Sequence, residues 1–207
     1  GTGEVTLAIH RRWPTARLTA LDVSDEMLNR LRAKAGQPAD WLTTYQGTLS
    51  QMAFAKRFDL CTSQFALMVV ADPAVELAAL HDATCAGGRL IVTVPGAANS
   101  FAPFFAYWSA AQRVVADAVS PREYPHHRFA AAEHLRATAS DAGWKDIAVT
   151  EVRAARQCSP SLLWCWVSTA LPILRQIGEK VDAASLSTVV RSALRTSALE
   201  FAAPYRI

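Results

Sequence analysis

Gly1-Thr2-Gly3-Glu4 runs directly into a helical stretch, and Asp22 stands nineteen residues after Gly3 at the end of Leu18-Thr19-Ala20-Leu21-Asp22. Two glycines at a turn let a ligand approach the backbone closely, and the helix that follows offers free N–H groups at its N-terminus. An acidic residue at the end of the next strand accepts hydrogen bonds from ribose hydroxyls in doubly wound nucleotide folds. Each feature alone is equally a capped helix or a turn aspartate. Together, at this spacing and on these elements, they point to a nucleotide. A nicotinamide fingerprint places a third glycine where Thr6 stands, which counts against that cofactor.

Outward from this stretch, helix and strand signals alternate. Val5, Ile9 and Trp13 fall on one face of a helix over residues 4–13. Residues 18–23 form a short apolar strand. Ser24 caps the next helix, Asp25 and Glu26 suit its positive end, and it carries Met27, Leu28, Leu31 and Ala35 before stopping at Gly36. Residues 41–45 and 58–65 read as further strands. Asp72-Pro73 opens a helix, Gly87-Gly88 is expected to end it, and residues 89–94 form a nearly continuous apolar strand of the kind found in buried parallel sheets. This alternation predicts a doubly wound, mostly parallel α/β sheet.

The second half differs. Residues 99–118 are alanine-rich and helical, with Phe101, Phe104, Phe105, Tyr107 and Trp108 at their start. A helix over 131–142 and a strand over 145–152 follow, then two helices. One carries Leu163, Val167, Leu171 and Leu174, with a kink at Pro172; the other carries a stripe from Leu186 to Leu194 that reads as core or as a homodimer face.

Of the 207 residues, 51% are apolar and 19% charged, a balance that requires a packed core and excludes a disordered chain. A net charge of +3 is too small to argue for nucleic acid or an anionic membrane. The longest apolar stretch, residues 162–174, is broken by Ser168, Thr169 and Pro172 and is too short for a membrane span. Cys61, Cys85, Cys158 and Cys165 show neither a CxxC pair nor zinc spacing, so they read as buried thiols and no metal is expected. Reduced thiols without a secretory leader pattern suggest the cytoplasm.

The segments Gly1-Thr2-Gly3-Glu4, Ala20-Leu21-Asp22-Val23-Ser24-Asp25-Glu26-Met27-Leu28, Phe58-Asp59-Leu60-Cys61-Thr62-Ser63-Gln64-Phe65-Ala66-Leu67 and Ala86-Gly87-Gly88-Arg89-Leu90-Ile91-Val92-Thr93-Val94-Pro95-Gly96 resemble, in this order and spacing, the class I S-adenosylmethionine-dependent methyltransferases. The ubiquinone/menaquinone-type small-molecule branch is the nearest. The resemblance covers residues 1 to 96, is loose to 153 and fades beyond. It implies a Rossmann-like methyltransferase fold with S-adenosyl-L-methionine as cofactor. Gly1 and Gly3 would line the methionine part, Asp22 would hold the ribose hydroxyls, and Val23 would lie against the adenine. Gly47, Thr48 and Leu49 would meet the adenine edge, and Gln64 would face the sulfonium. The family usually has an acidic residue where Thr48 stands, and many members have a histidine pair where Met68 and Val69 stand. Its first strand would precede Gly1 and its last would follow Ile207, so both are expected to be missing from this chain.

The implied organisation is an S-adenosylmethionine-binding α/β domain over 1–153, with 97–130 as a cap insertion and 154–207 as a helical part covering the acceptor. Methyl transfer needs an aligned acceptor and an excluded solvent. Phe101, Phe104, Phe105, Tyr107 and Trp108 are candidates for an apolar acceptor pocket, or simply pack the cap. Tyr124, His126 and His127 are candidates for a base toward a hydroxyl acceptor, or surface loop residues. The expected partner is a small-molecule acceptor with an O, N or C nucleophile. Two other readings compete: a non-catalytic methyltransferase-like binding or partner subunit, and an NAD(P)-dependent oxidoreductase. The latter usually shows a Tyr-x-x-x-Lys pair, which the sequence lacks.

Overall fold

The computed structural model describes residues 1–52, 54–96, 128–129 and 131–152, and the backbone of Tyr205–Arg206. The expected cap over 97–130, apart from Arg128 and Phe129, and the helical part over 154–207, apart from the backbone of those last two residues, lie outside the described residues. So do the aromatic cluster, the loop histidines and the leucine stripe.

Helix α1 (Glu4–Arg12) starts from Gly3 and ends where the Trp13 N–H bonds Ile9 O. Its charges suit the helix dipole, with Glu4 in the first turn and His10, Arg11 and Arg12 in the last. Lys34 pairs with Glu4 and holds that carboxyl below its usual range. Strand β1 (Leu18–Asp22) leads to α2 (Asp25–Ala35), where Ser24 Oγ accepts from Met27 N at 3.3 Å as the expected cap. The buried residues of α2 are Leu28 and Leu31. Strand β2 (Leu42–Gln46) then pairs parallel with β1, from Leu18 opposite Leu42 to Asp22 opposite Gln46. A 3₁₀ turn (Leu49–Gln51) leads on to β3 (Phe58–Gln64).

Helix α3 (Pro73–Ala83) has proline in its first turn, and Asp72 Oδ1 accepts from Ala74 N at 2.9 Å and Val75 N at 3.3 Å. Asp72→Ala leaves these two donors without that partner. It is expected to cost about 1 kcal/mol and to lower the melting temperature by about 2–4 °C in a thermal scan.

The helix stops at Ala83 rather than at Gly87-Gly88, which correct the sequence expectation by lying inside β4 (Thr84–Val94). The cause is a tertiary tie. The Thr84 hydroxyl reaches Leu80 O at 2.7 Å and Cys61 Sγ at 3.2 Å, fastening the chain to β3 immediately after the helix. Phe58 then pairs with Thr84 but Leu60 pairs with Arg89, so the intervening residues of β4 bulge out of register. A Cβ on Gly88 would sit 3.0 Å from Asp59 O, so only glycine lets the strands close again.

Helix α4 (Ala132–Asp141) and strand β5 (Thr150–Glu151) follow. The strand is shorter than the expected 145–152 span, and Asp146 interrupts extended backbone with a φ of 53°. The expectation that the last strand is missing is also corrected. Tyr205–Arg206 form β6, antiparallel to both β4 and β5. Without it, β4 and β5 would each leave backbone groups unpaired on facing edges.

Among the described residues the strands form two sheets, β1–β2 and β3–β4–β6–β5. Leu67, Met68, Leu77, Val92, Val94, Phe129, Leu135 and Ala139 make the buried core, uniting β4, α3 and α4. Trp144 Nε1–H bonds Leu77 O at 3.0 Å and locks the α4 exit onto α3. Arg89 and Ile91 are exposed on β4, so among the described residues one face of that sheet carries the core. Burial pushes the Cys61 thiol pKa up, which keeps this buried residue protonated and inert at neutral pH. No helix of the described residues is long and apolar enough to cross a membrane.

Candidate functional site

The carboxylate of Asp22 is the centre of the site. It sits at the C-terminal end of β1 with only 21% of its side chain exposed. Its Oδ1 accepts from the Ser24 N–H at 2.8 Å, and that bond leaves lone pairs free on the carboxylate.

Gly3 holds the turn in shape. Its φ of 88° is left-handed, and a Cβ there would lie 2.3 Å from Leu31 Cδ1 on α2. Glycine is required at this point because α1 starts against the buried face of the neighbouring helix.

The third segment arrives through β2. The Gly47 N–H bonds Asp22 O at 3.0 Å, and the Gln46 side chain donates to Val23 O at 3.2 Å. These bonds seat Gly47 beside Asp22 and Gln46 beside Val23. Val23 is 64% exposed, a large apolar side chain left facing outward next to a carboxylate. The Thr48 N–H is committed to Gln51 Oε1 at 3.0 Å, and Thr48 Oγ1 lies 3.1 Å from Ser50 Oγ. Ser50 in turn donates to Glu76 Oε1 at 2.6 Å in the first turn of α3.

That last bond places the C-terminal end of β2 next to the N-terminal end of α3. The segment between Gln64 and α3 therefore opens on the same side of the molecule as Asp22. Gln64 is the exposed last residue of β3. Phe65 follows with a φ of 53° while its N–H bonds Thr93 O at 2.8 Å. For a bulky residue this backbone costs about 1–3 kcal/mol and is concentrated at functional sites. Gln64 and Asp22 share an end of the fold rather than a contact. Met68 is buried in the core and Val69 faces outward, and neither side chain can serve as a base.

Sequence reasoning singled out Gly1, Gly3, Asp22, Val23, Gly47, Thr48, Leu49 and Gln64. It missed Gln46, Ser50, Gln51 and Glu76. The Thr48-x-x-Gln51 spacing is a capping signal that could have revealed Gln51. Nothing local could reveal Glu76, which lies 26 positions from Ser50 and arrives on another helix. Tyr124, His126, His127 and the Phe101, Phe104, Phe105, Tyr107 and Trp108 cluster lie outside the described residues. Among the described residues no three His, Cys, Asp or Glu side chains are placed to hold a metal. A separate concavity of about 340 Å³, bordered by His81, Cys85 and Trp144, lies at the opposite end of β4.

Residues 1–88 match the methyltransferase domain family. The chain is 31% identical over 205 residues to trans-aconitate 2-methyltransferase of Streptomyces avermitilis, covering 94% of this chain and 74% of that protein. It is also 31% identical over 112 residues to the ubiquinone/menaquinone biosynthesis C-methyltransferase UbiE of Desulfotalea psychrophila, covering 52% of this chain and 44% of that protein. Among solved structures, the phosphoethanolamine N-methyltransferase 2 of Haemonchus contortus, in complex with phosphomonomethylethanolamine and S-adenosylhomocysteine, superposes with a TM-score of 0.58 at 15% identity. That match covers 100% of this chain and 46% of that one, a likeness of fold.

Proposed function

This chain belongs to the class I S-adenosylmethionine-dependent methyltransferases, and on that premise we propose that its Asp22 end binds S-adenosyl-L-methionine and serves methyl transfer to a small-molecule acceptor. The observation that carries the reading is the part-buried Asp22 carboxylate at the end of β1, with one bond from the Ser24 N–H and lone pairs free, on a residue whose backbone oxygen accepts from the Gly47 N–H.

The residues present fit this cofactor. A ribose diol offers two O–H donors, and a carboxylate accepts both. The exposed Val23 side chain offers an apolar surface to the flat adenine. Gly1, Gly3, Gly47, Thr48 and Leu49 would border the cofactor, and Gln64, the exposed last residue of β3, would face its sulfonium. The bound cofactor supplies an electrophilic methyl group and its own leaving group, so the protein's work is binding, orientation and exclusion of water.

The acceptor class rests on the relatives. One is named for trans-aconitate and the other for C-methylation in ubiquinone/menaquinone biosynthesis. Both names point to small molecules, of different chemistry.

The test is calorimetric titration with S-adenosylhomocysteine, with NADH as the control ligand. Binding of the former at about micromolar Kd, near −8 kcal/mol, with none of the latter, is the expected result. A folded sample that binds NADH, or neither ligand, would overturn the reading.

A further inference from the structure

We infer that the concavity at the start of β4 binds a small dianionic oxyanion, a phosphate monoester or a dicarboxylate, between the ammonium groups of Lys56 and Lys145. The recess has a volume of about 340 Å³. It lies at the end of α3 that carries His81, whereas Glu76 and its Ser50 contact lie at the other. The inference therefore stands apart from the cofactor reading.

Irregular backbone from three parts of the chain meets here. Phe58 pairs with Thr84 and Leu60 with Arg89, so four residues of β4, Cys85 to Gly88, stand against Asp59 alone. Bulges bend a strand and re-aim its side chains, and they are frequent beside functional sites. Three non-glycine residues among the described ones have a left-handed φ, and two of them, Lys56 at 39° and Asp146 at 53°, border this recess. Such backbone is costly and gathers at ligand clamps. Its neighbours hold it in place. The Lys56 N–H bonds Asp82 O at 2.7 Å, and the Cys85 thiol donates to Lys56 O at 3.0 Å. Trp144, which precedes Lys145, is fixed by its N–H to Ala139 O at 3.1 Å and by its indole N–H to Leu77 O at 3.0 Å.

The charge of the recess is positive. Lys56 and Lys145 are exposed and come from separate segments, and among the described residues neither ammonium has a partner. The His81 imidazole stands edge-on to Trp144 at 5.4 Å and has a ring N–H to offer. One carboxylate, Asp146, opposes them on the border, while Asp82 faces His81 Nδ1 at 3.6 Å without bordering the recess. Cations near a helix C-terminus often serve its free carbonyls. Here the last four carbonyls of α3 already have donors. Leu80 O takes the Thr84 hydroxyl, His81 O the Thr84 N–H, Asp82 O the Lys56 N–H and Ala83 O the Arg57 N–H. Both ammonium groups are left for a ligand, and two of them match an anion with two charges.

The readout is the indole N–H resonance of Trp144 in the full chain carrying isotope-labelled tryptophan, assigned among the six tryptophans by its loss in Trp144→Phe. Inorganic phosphate, at neutral pH and an ionic strength fixed with sodium chloride, should shift this resonance saturably with a Kd of about 1 mM. Chloride alone should not. Lys56→Gln and Lys145→Gln should each weaken phosphate about threefold to fivefold, and together about tenfold or more. Asp146→Asn removes the opposing charge, keeps a residue that tolerates left-handed backbone, and should tighten phosphate about threefold. That gain carries the test if the lysine double variant melts early. Lys34→Gln, on α2 and paired with Glu4, should change nothing. Succinate separates the sources of the anion. Binding equal to that of phosphate assigns the site to charge alone, dicarboxylates included, and binding of phosphate alone assigns it to a phosphoryl group. No saturable shift with either probe, a shift that chloride reproduces, or unchanged affinity in the folded variants overturns the site. Titration of the same samples with S-adenosylhomocysteine reports the Asp22 end separately, so either reading can fall while the other stands.

Discussion

Gly3→Ala is expected to lower the unfolding free energy by about 3 kcal/mol and the melting temperature by roughly 6–12 °C. Two costs add. The residue has φ 88°, and a side chain in the left-handed region costs about 1–2 kcal/mol. The added methyl would also lie 2.3 Å from Leu31 Cδ1 and 3.1 Å from its Cβ and Cγ. Overpacking of this kind costs about 1–3 kcal/mol. Leu31 is itself 1% exposed, so its side chain has little room to withdraw. A Leu31→Ala background separates the two costs, because truncating Leu31 removes the Cδ1 and Cγ atoms that the new methyl would meet. In that background Gly3→Ala should cost about 1–2 kcal/mol, the conformational part alone. Equal losses in the two backgrounds would show that Leu31 yields without cost and that the contact is not what demands glycine. The loss should also reach function, since the turn at Gly3 adjoins Gly1 and Asp22.

Asp22→Ala should weaken S-adenosylhomocysteine about a hundredfold, near 3 kcal/mol, if two charged hydrogen bonds to the ribose are lost. Asp22→Asn keeps an oxygen for the Ser24 N–H (2.8 Å) but loses the charge and half the acceptor capacity. Its expected loss is about tenfold. The graded series distinguishes ligand contact from turn structure. If Asn and Ala lose affinity equally while melting together well below the unsubstituted protein, the carboxylate serves the turn and the ribose reading fails. Calorimetry and a thermal scan on the same samples provide both numbers.

Much of this site was legible because its signals are local. Asp22 ends a short apolar strand, Ser24 caps the helix after it, and Gly3 starts the helix before it; each is a steric or hydrogen-bonding demand within a few residues. The end of α3 shows the opposite case. Gly87-Gly88 carry a strong stop signal, yet the helix ends at Ala83 because Thr84 is fastened to Leu80 and Cys61. Gly88 instead allows close approach of β4 to Asp59 in β3, and Gly87 takes a positive φ of 75° in open space. A glycine marks permission for unusual backbone, and the packing decides how that permission is used.

The order of helices and strands over residues 1–96, the glycine turn and its aspartate were determined by the sequence itself, since periodicity, capping and turn chemistry act over one or two turns of chain. Only the tertiary structure decided that Tyr205–Arg206 pair between β4 and β5, because a two-residue strand has no period to read and forms where facing edges need partners. Only it brought Glu76 to Ser50, and through Ser50 to Thr48. Side chains 26 positions apart meet when α3 packs beside the β2 exit, and the direction of the hydrogen bonds between them depends on which groups have protons left to donate.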